Sequence, residues 1–316
     1  MKLPKIILLG SLALFVAIGI AAGVKKFSSS TSKAVEQQIA LKPPKPLSVS
    51  KPTIQESGDL PAVNRVNELF TIGDRKLPIV ETISYESTVP WLKGRPAWIG
   101  DYASFYSTSR HFIARSLNGK ADYFTQKVSP GKLFNVFRKD KNFQFYLLAD
   151  LSRCKMAFYY IDLDANERVL LKTYRIGVGK KNETGNLTPV GRYQLGDKIA
   201  VYKPGIMDLF HDKQVEMIRV FGTRWLPFGK ELSKGTPPAK GLGIHGAPWD
   251  FNKKENKWVE LRKSVGVYES DGCIRLTYED IEELFSIVIT KPTVIDIVNH
   301  FKEAQLPGVE VVSPKQ

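Results

Sequence analysis

The chain has 316 residues, enough for one large or two modest domains at roughly 100–200 residues each. Its 43% hydrophobic and 25% charged content excludes a wholly disordered, collagen-like or polytopic membrane protein, and two cysteines exclude a disulfide-dense or Cys-rich zinc scaffold. The formal net charge of +14 suits an anionic partner such as nucleic acid, lipid headgroups or acidic wall polymer. Nucleic acid is not expected, because the basic residues are spread along the chain with no run of five or more.

Ile6 to Val24 carries no charge, and Lys2, Lys5, Lys25 and Lys26 flank it. Its 19 residues are just enough helix to cross a hydrocarbon core of about 30 Å. Ala21-Ala22-Gly23 is a poor cleavage site, so residues 1–26 read as an uncleaved anchor rather than a signal peptide. Lysines at both ends leave the orientation undecided by charge. Residues 27–63 read as a Pro/Ser-rich spacer, with Ser28 to Ser32 followed by Pro43, Pro44, Pro46, Pro52 and Pro61.

Residues 64–140 predict a small α+β unit. Ile79 to Tyr85 reads as a strand and Trp98 to Tyr106 as a helix. Ser107-Thr108-Ser109 breaks that helix and caps a second, whose buried face holds Ile113 and Leu117 and which ends at Asn118-Gly119. Strands are expected at Phe124–Val128 and Leu133–Phe137. Tyr102-Ala103, Tyr106 to Ser109, Ile113, Leu117-Asn118, Pro130-Gly131, Leu133 and Val136 resemble a lysin motif (LysM). That resemblance implies binding to peptidoglycan glycan strands, while Pro96-Ala97-Trp98 replaces the motif's usual Gly-Asp. The alternative is a spacer domain whose aromatics form a core.

From Phe143 the pattern becomes all-β. Gln144–Ala149, Lys155–Ile161, Arg168–Ile176, Val215–Phe221 and Leu242–His245 predict strands, with turns at Asp150 to Ser152 and Asp164 to Asn166. Glu279 to Val288 predicts a helix and Pro292 to Val298 a last strand. Two candidate sites stand out. In Gly241-Leu242-Gly243-Ile244-His245-Gly246, a histidine ends an apolar strand among glycines that let a ligand approach the backbone. In Ser270-Asp271-Gly272-Cys273-Ile274-Arg275-Leu276, a cysteine precedes a helix start at Thr277. The helix start and Arg275 favour a thiolate, and Asp271 opposes it. Read alone, Cys273 is equally a buried structural thiol or half of a disulfide to Cys154.

Thr188-Pro189-x-Gly191, then Ile244-His245-Gly246, then Ser264-x-Gly266 and Ser270-x-Gly272-Cys273-Ile274-Arg275 together resemble the L,D-transpeptidase catalytic domain of YkuD type. The resemblance implies a mainly β, sandwich-like catalytic domain over 141–300 with a few short helices, followed by a tail over 301–316. It implies a Cys273 nucleophile, a His245 base oriented by Ser270, and oxyanion donors on Gly272 and Cys273. It also places Asp271, Arg275 and Gly246 beside the substrate. No metal or cofactor is implied, and His111, His211 and His300 have no ligand spacing. The implied substrates are peptidoglycan peptide stems, which puts the domain on the extracytoplasmic side of the cell envelope, anchored in the inner membrane or secreted. Hydrolysis of the same thioester would make it an L,D-carboxypeptidase, and a Cys154–Cys273 disulfide would leave a non-catalytic wall-binding protein. Asp271 stands where the family usually has histidine. The gap of 28 positions from His245 to Cys273 is longer than the family's usual one, so Asn252 to Lys257 is expected to form an inserted loop beside the cleft.

Overall fold

The computed structural model describes residues 46–120, 127–183, 185–196, 200–210, 212–233 and 239–311. The expected anchor, the first part of the spacer, most of the strand expected at Phe124–Val128 and the last five residues lie outside them. Strand β1 (Val49–Ser50) comes first, then helix α1 (Asn67–Phe70), β2 (Val80–Ser84), α2 (Ile99–Phe105), α3 (Arg110–Asn118) and β3 (Leu133–Phe137). Next are β4 (Phe143–Asp150), β5 (Lys155–Asp162), β6 (Glu167–Arg175), β7 (Val178–Gly179), β8 (Lys181–Asn182) and β9 (Gly185–Asn186). β10 (Gly191–Leu195), β11 (Ala200–Val201), β12 (Met207–Phe210) and β13 (Lys213–Glu216) lead to α4 (Ile218–Phe221) and β14 (Arg224–Glu231). β15 (Gly243–Gly246), β16 (Trp249–Asn252), β17 (Lys257–Glu260), β18 (Tyr268–Ser270) and β19 (Ile274–Leu276) precede α5 (Tyr278–Val288). β20 (Thr293–Val298), β21 (Leu306–Pro307) and β22 (Val309–Glu310) close the chain.

The result is mainly β with a few short helices. One mixed sheet runs in the order β19-β15-β14-β10-β20-β4-β5-β6-β22, with β11 beside β14. The pairs β20/β4, β15/β19 and β6/β22 are parallel. β4 and β5 are buried almost throughout, because both faces of the sheet are covered. On one face Phe145, Leu147, Met156 and Phe158 pack in a core with Ile281, Leu284 and Phe285 of α5. On the other, Tyr146, Leu148, Tyr159 and Ile161 pack under Leu60, Phe301 and Leu306.

That second cover corrects two expectations. The spacer was to run to residue 63 and the tail to begin at 301, yet both segments are seated on the sheet. β1 pairs with β21, and β22 pairs with β6. Arg168, 1% exposed, holds them together. Its guanidinium donates to Ser50 Oγ (2.9 Å), Lys51 O (2.6 Å), Gly308 O (2.6 Å) and Glu310 Oε2 (3.0 Å). Few apolar residues suffice here, because the sheet supplies the rest of the apolar surface and Arg168 satisfies the carbonyls.

Residues 64–140 show the expected strand, helix, helix and final strand. Ser109 caps α3 by accepting from Phe112 N, and left-handed Gly119 ends it. Lys127 and Val128, expected to finish a strand, are irregular. The segment has a local core of Val89, Tyr102, Ile113, Phe134 and Val136. The boundary expected at residue 140 is nevertheless bridged: Phe112, Phe137, Phe143 and Phe145 make one chain of ring contacts 4.5–5.6 Å apart. Ser109 Oγ also donates to Ser286 O of α5 (2.5 Å).

The strand expected at Val215–Phe221 is half helix. Ile218 and Phe221 face inward three residues apart, and Gly222 (φ +61°) ends the turn where a Cβ would lie 2.6 Å from Ala247 O. The loop expected at Asn252 to Lys257 is the tip of the β16–β17 hairpin.

Replacing Arg168 with methionine removes the donor shared by Glu310, Ser50, Lys51 and Gly308. It is expected to cost about 3–5 kcal/mol in urea unfolding and to expose residues 46–60 to protease. A loss below about 1 kcal/mol would show that the straps hold without it.

Candidate active site

The site is built on the parallel pair β15/β19. Its register sets Ile244 opposite Ile274, His245 opposite Arg275 and Gly246 opposite Leu276. Side chains alternate between faces of a strand. Ile244, Ile274 and Leu276 therefore share the face that packs on α5, and His245 and Arg275 share the other. Cys273 precedes β19 and reaches back to Gly243, whose N–H lies against its sulfur. Gly243 must be glycine: a Cβ would lie 2.4 Å from Leu226 O on β14. Gly246 is tight as well, with Ile281 Cγ2 at 3.1 Å from a built Cβ.

His245 is 3% exposed. Its Nδ1 lies 2.7 Å from Gly246 O. A carbonyl only accepts, so Nδ1 carries the proton and Nε2 keeps its lone pair. Phe221 and Trp225 enclose the ring at centroid distances of 5.3 and 5.9 Å. Burial first and the Arg275 charge second push its pKa down to about 3, against the partial opposition of the Gly246 and Phe221 carbonyls.

Burial likewise pushes the Cys273 thiol up to about 11, outweighing the Gly243 N–H and the Arg275 charge. The pair at rest is thus a neutral thiol and a neutral imidazole. This corrects the expected activation by a helix start. α5 begins at Tyr278, capped by Thr277, and β19 stands between it and Cys273. A helix dipole acts only within about its first turn. Cys154 is also free and buried, so no disulfide joins it to Cys273.

Ser270 does not perform its expected role. Its Oγ donates to Cys273 O (2.6 Å) and accepts from Gly272 N (3.2 Å), bracing the Cys273 turn instead of His245. The Gly272 N–H, one of the two expected oxyanion donors, is thereby engaged within the turn. Gly272 has φ +119°, and a Cβ there would lie 2.9 Å from Leu187 O, so the turn itself demands glycine. Asp271 points to solvent, 84% exposed, with Lys180 Nζ 3.0 Å away. Its charge is the smallest of the influences on the thiol. Arg275 is half-buried, and its Nε has no partner among the described residues. Thr188 comes alongside, accepting from Gly179 N (2.8 Å). Sequence reasoning missed Gly243 as a partner of the sulfur, the Gly246 carbonyl and the Phe221–Trp225 wall. The glycine spacing around His245 was the one available signal.

Residues 144–297 match the family model YkuD, L,D-transpeptidase catalytic domain. Among solved structures, the chain is similar to the helical cell shape determining protein Pgp2 from Campylobacter jejuni, at 17% identity and a TM-score of 0.34 over 52% of this chain and 50% of that one. It is also similar to Mycobacterium tuberculosis L,D-transpeptidase 1, at 12% identity and a TM-score of 0.27 over 52% of this chain and 70% of that one. The match thus spans half the length of Pgp2. No curated protein matches the chain.

Two measurements check the electrostatics. Iodoacetamide alkylation, followed on the Cys273 peptide, should keep rising past pH 9 toward a midpoint near 11. Asp271→Asn should lower that midpoint by less than about one unit, since the carboxylate is exposed and paired. A plateau at neutral pH would reveal a thiolate–imidazolium pair. For stability, His245 titrates near 6.5 unfolded and about 3 folded, so the unfolded chain takes its proton first. The stabilisation is complete above about pH 6.5 and is lost as pH falls toward 3, by up to ~1.4 kcal/mol per unit. His245→Gln should lose less stability between pH 7 and pH 4 than wild type, and equal slopes would contradict the buried neutral ring.

Proposed function

We propose that this domain is a cysteine acyltransferase of L,D-transpeptidase type, acting on peptidoglycan peptide stems. The observation that carries the proposal is the β15/β19 register, which gathers His245, Cys273 and Arg275 at one sheet edge within the segment that matches the family. Cys273 attacks the carbonyl on the L-centre of the diamino acid in a tetrapeptide stem. His245 Nε2 takes the thiol proton as the S–C bond forms, so no resting thiolate is needed. The Gly246 carbonyl holds the imidazolium that results, and Cys273 N–H faces the developing oxyanion. The imidazolium then protonates the departing D-alanine amine, leaving a thioester. An amine of a second stem attacks the thioester, gives its proton to His245 and releases the thiol, which makes a 3→3 cross-link. Arg275, with its unpartnered Nε, is suited to a substrate carboxylate.

On this reading the domain works outside the cytoplasmic membrane, and the apolar run at residues 6–24 holds it there. The exposed Trp98 offers the segment over 64–140 a flat surface for a sugar ring.

The test is incubation of the purified protein with tetrapeptide stems, followed by mass analysis. Cross-linked dimers and released D-alanine are expected, and Cys273→Ala should lower turnover by ~10³-fold or more without changing the fold. Tripeptide as the only product would make the enzyme an L,D-carboxypeptidase. Wild-type turnover by Cys273→Ala would remove the mechanism.

A further inference from the structure

β20 and β4 lie side by side and parallel at the middle of the sheet, with Val298 opposite Asp150. Their next residues emerge together, Leu151 N bonding to Val298 O and Ser152 N to Asn299 O (both 3.0 Å). Ligands commonly bind beyond the carboxyl ends of parallel strands. Here a cleft of about 330 Å³ opens, walled by Leu151, Ser152, Asn186, Tyr268, His300 and Lys181 with their immediate neighbours.

Its chemistry is one-sided. Lys181 Nζ sits 4.0 Å from the centroid of the Tyr268 ring, which directs the ammonium along the cleft wall. No carboxylate pairs with Lys181 among the described residues. The nearby Asp150 is engaged by Arg153, 2.9 Å away. Asn186 accepts from Thr188 N through Oδ1 (2.8 Å), which fixes its amide, and its buried Nδ2 has no acceptor among the described residues. Tyr268 donates its hydroxyl to Leu151 O (2.8 Å) and Ser152 O (2.9 Å), so its ring is locked as an apolar wall. Ser152 is no nucleophile: its one proton goes to Asp150 Oδ1 (2.7 Å), so it can only accept from His300 Nδ1 (2.9 Å). A charged donor and an orphaned amide donor beside an aromatic wall fit an acid on an alkyl arm.

The cleft also adjoins the nucleophile turn. β18 carries Tyr268 into it and two residues later supplies Ser270, and Lys180 N bonds to Ser270 O (2.8 Å). We propose that this cleft is a second substrate subsite, in which Lys181 and Asn186 hold a side-chain carboxylate of the peptide stem while its scissile carbonyl lies at Cys273. The proposal rests on the peptidoglycan reading above.

The test uses the full chain carrying Cys273→Ala, so that nothing turns over. It is titrated by calorimetry with a tetrapeptide stem and with the same stem whose side-chain carboxylates are amidated. The free acid should bind ~10-fold more tightly, and Lys181→Gln should erase that difference while leaving affinity for the amidated stem unchanged. Lys181 is exposed, so this variant folds. Equal binding of the two stems, equal weakening of both by Lys181→Gln, or binding of neither overturns the subsite. D-alanine release by wild type is scored separately. Turnover without carboxylate discrimination removes the subsite and keeps the Cys273 chemistry, whereas discrimination without turnover keeps the subsite and removes that chemistry.

Discussion

The parallel pairing of β15 with β19 is the constraint on which the site depends. It joins two segments 28 positions apart and decides which side chains share a face. A slip of one residue would turn His245 toward α5 and send Ile244 out of the core. The register is held from both sides. Ile244, Ile274 and Leu276 are fully buried against α5, while Gly243 lets β14 approach so closely that no side chain fits between. The hydrophobic core and the geometry of the candidate site are therefore specified by the same alternation.

Burial then sets the chemistry. His245 is buried and Cys273 partly buried, and desolvation drives each toward its neutral form. The Arg275 charge lowers both, easing the thiol toward ionisation while discouraging an imidazolium. On the proposed mechanism, the consequence is a nucleophile that is quiet until a carbonyl arrives. That mechanism would couple proton transfer to attack, because both groups favour their neutral forms in this setting. The Gly246 carbonyl compensates in part, since it bonds more strongly to an imidazolium than to a neutral ring.

Legibility in the sequence followed the range of the interaction. His245 and Cys273 were readable because close backbone approach leaves glycines beside them, and glycine spacing survives as a local pattern. The strands of the sheet were readable from β-branched and aromatic runs. Ser270 was legible as important but not in its role, because a hydroxyl that braces its own turn and one that orients a distant ring look the same in a string of letters. The straps were misread for a related reason. Prolines and polar residues in 46–63 predict an independent spacer, yet the decisive partner, Arg168, lies more than a hundred positions away. The helix start after Cys273 was real, but the strand between them, which cancels its influence, depends on pairing with β15.

The same reasoning changes the place of residues 64–140 in the molecule. α5 supports β15 directly, with Ile281 against Gly246, and everything that fixes α5 also fixes His245. From the sheet, Arg224 and Lys172 hold it through Glu282 (2.8 Å) and Glu283 (2.6 Å). From the other side, α3 holds it through the Ser109–Ser286 bond, and Arg115 lies half-buried against the charges of Glu282 and Glu283. Buried ion pairs of this kind add little net stability but strongly penalise misplacement. The segment that resembles a wall-binding module is thus also part of the scaffold beneath β15. A ligand on its outer face would touch a body whose core is continuous with that of the active site.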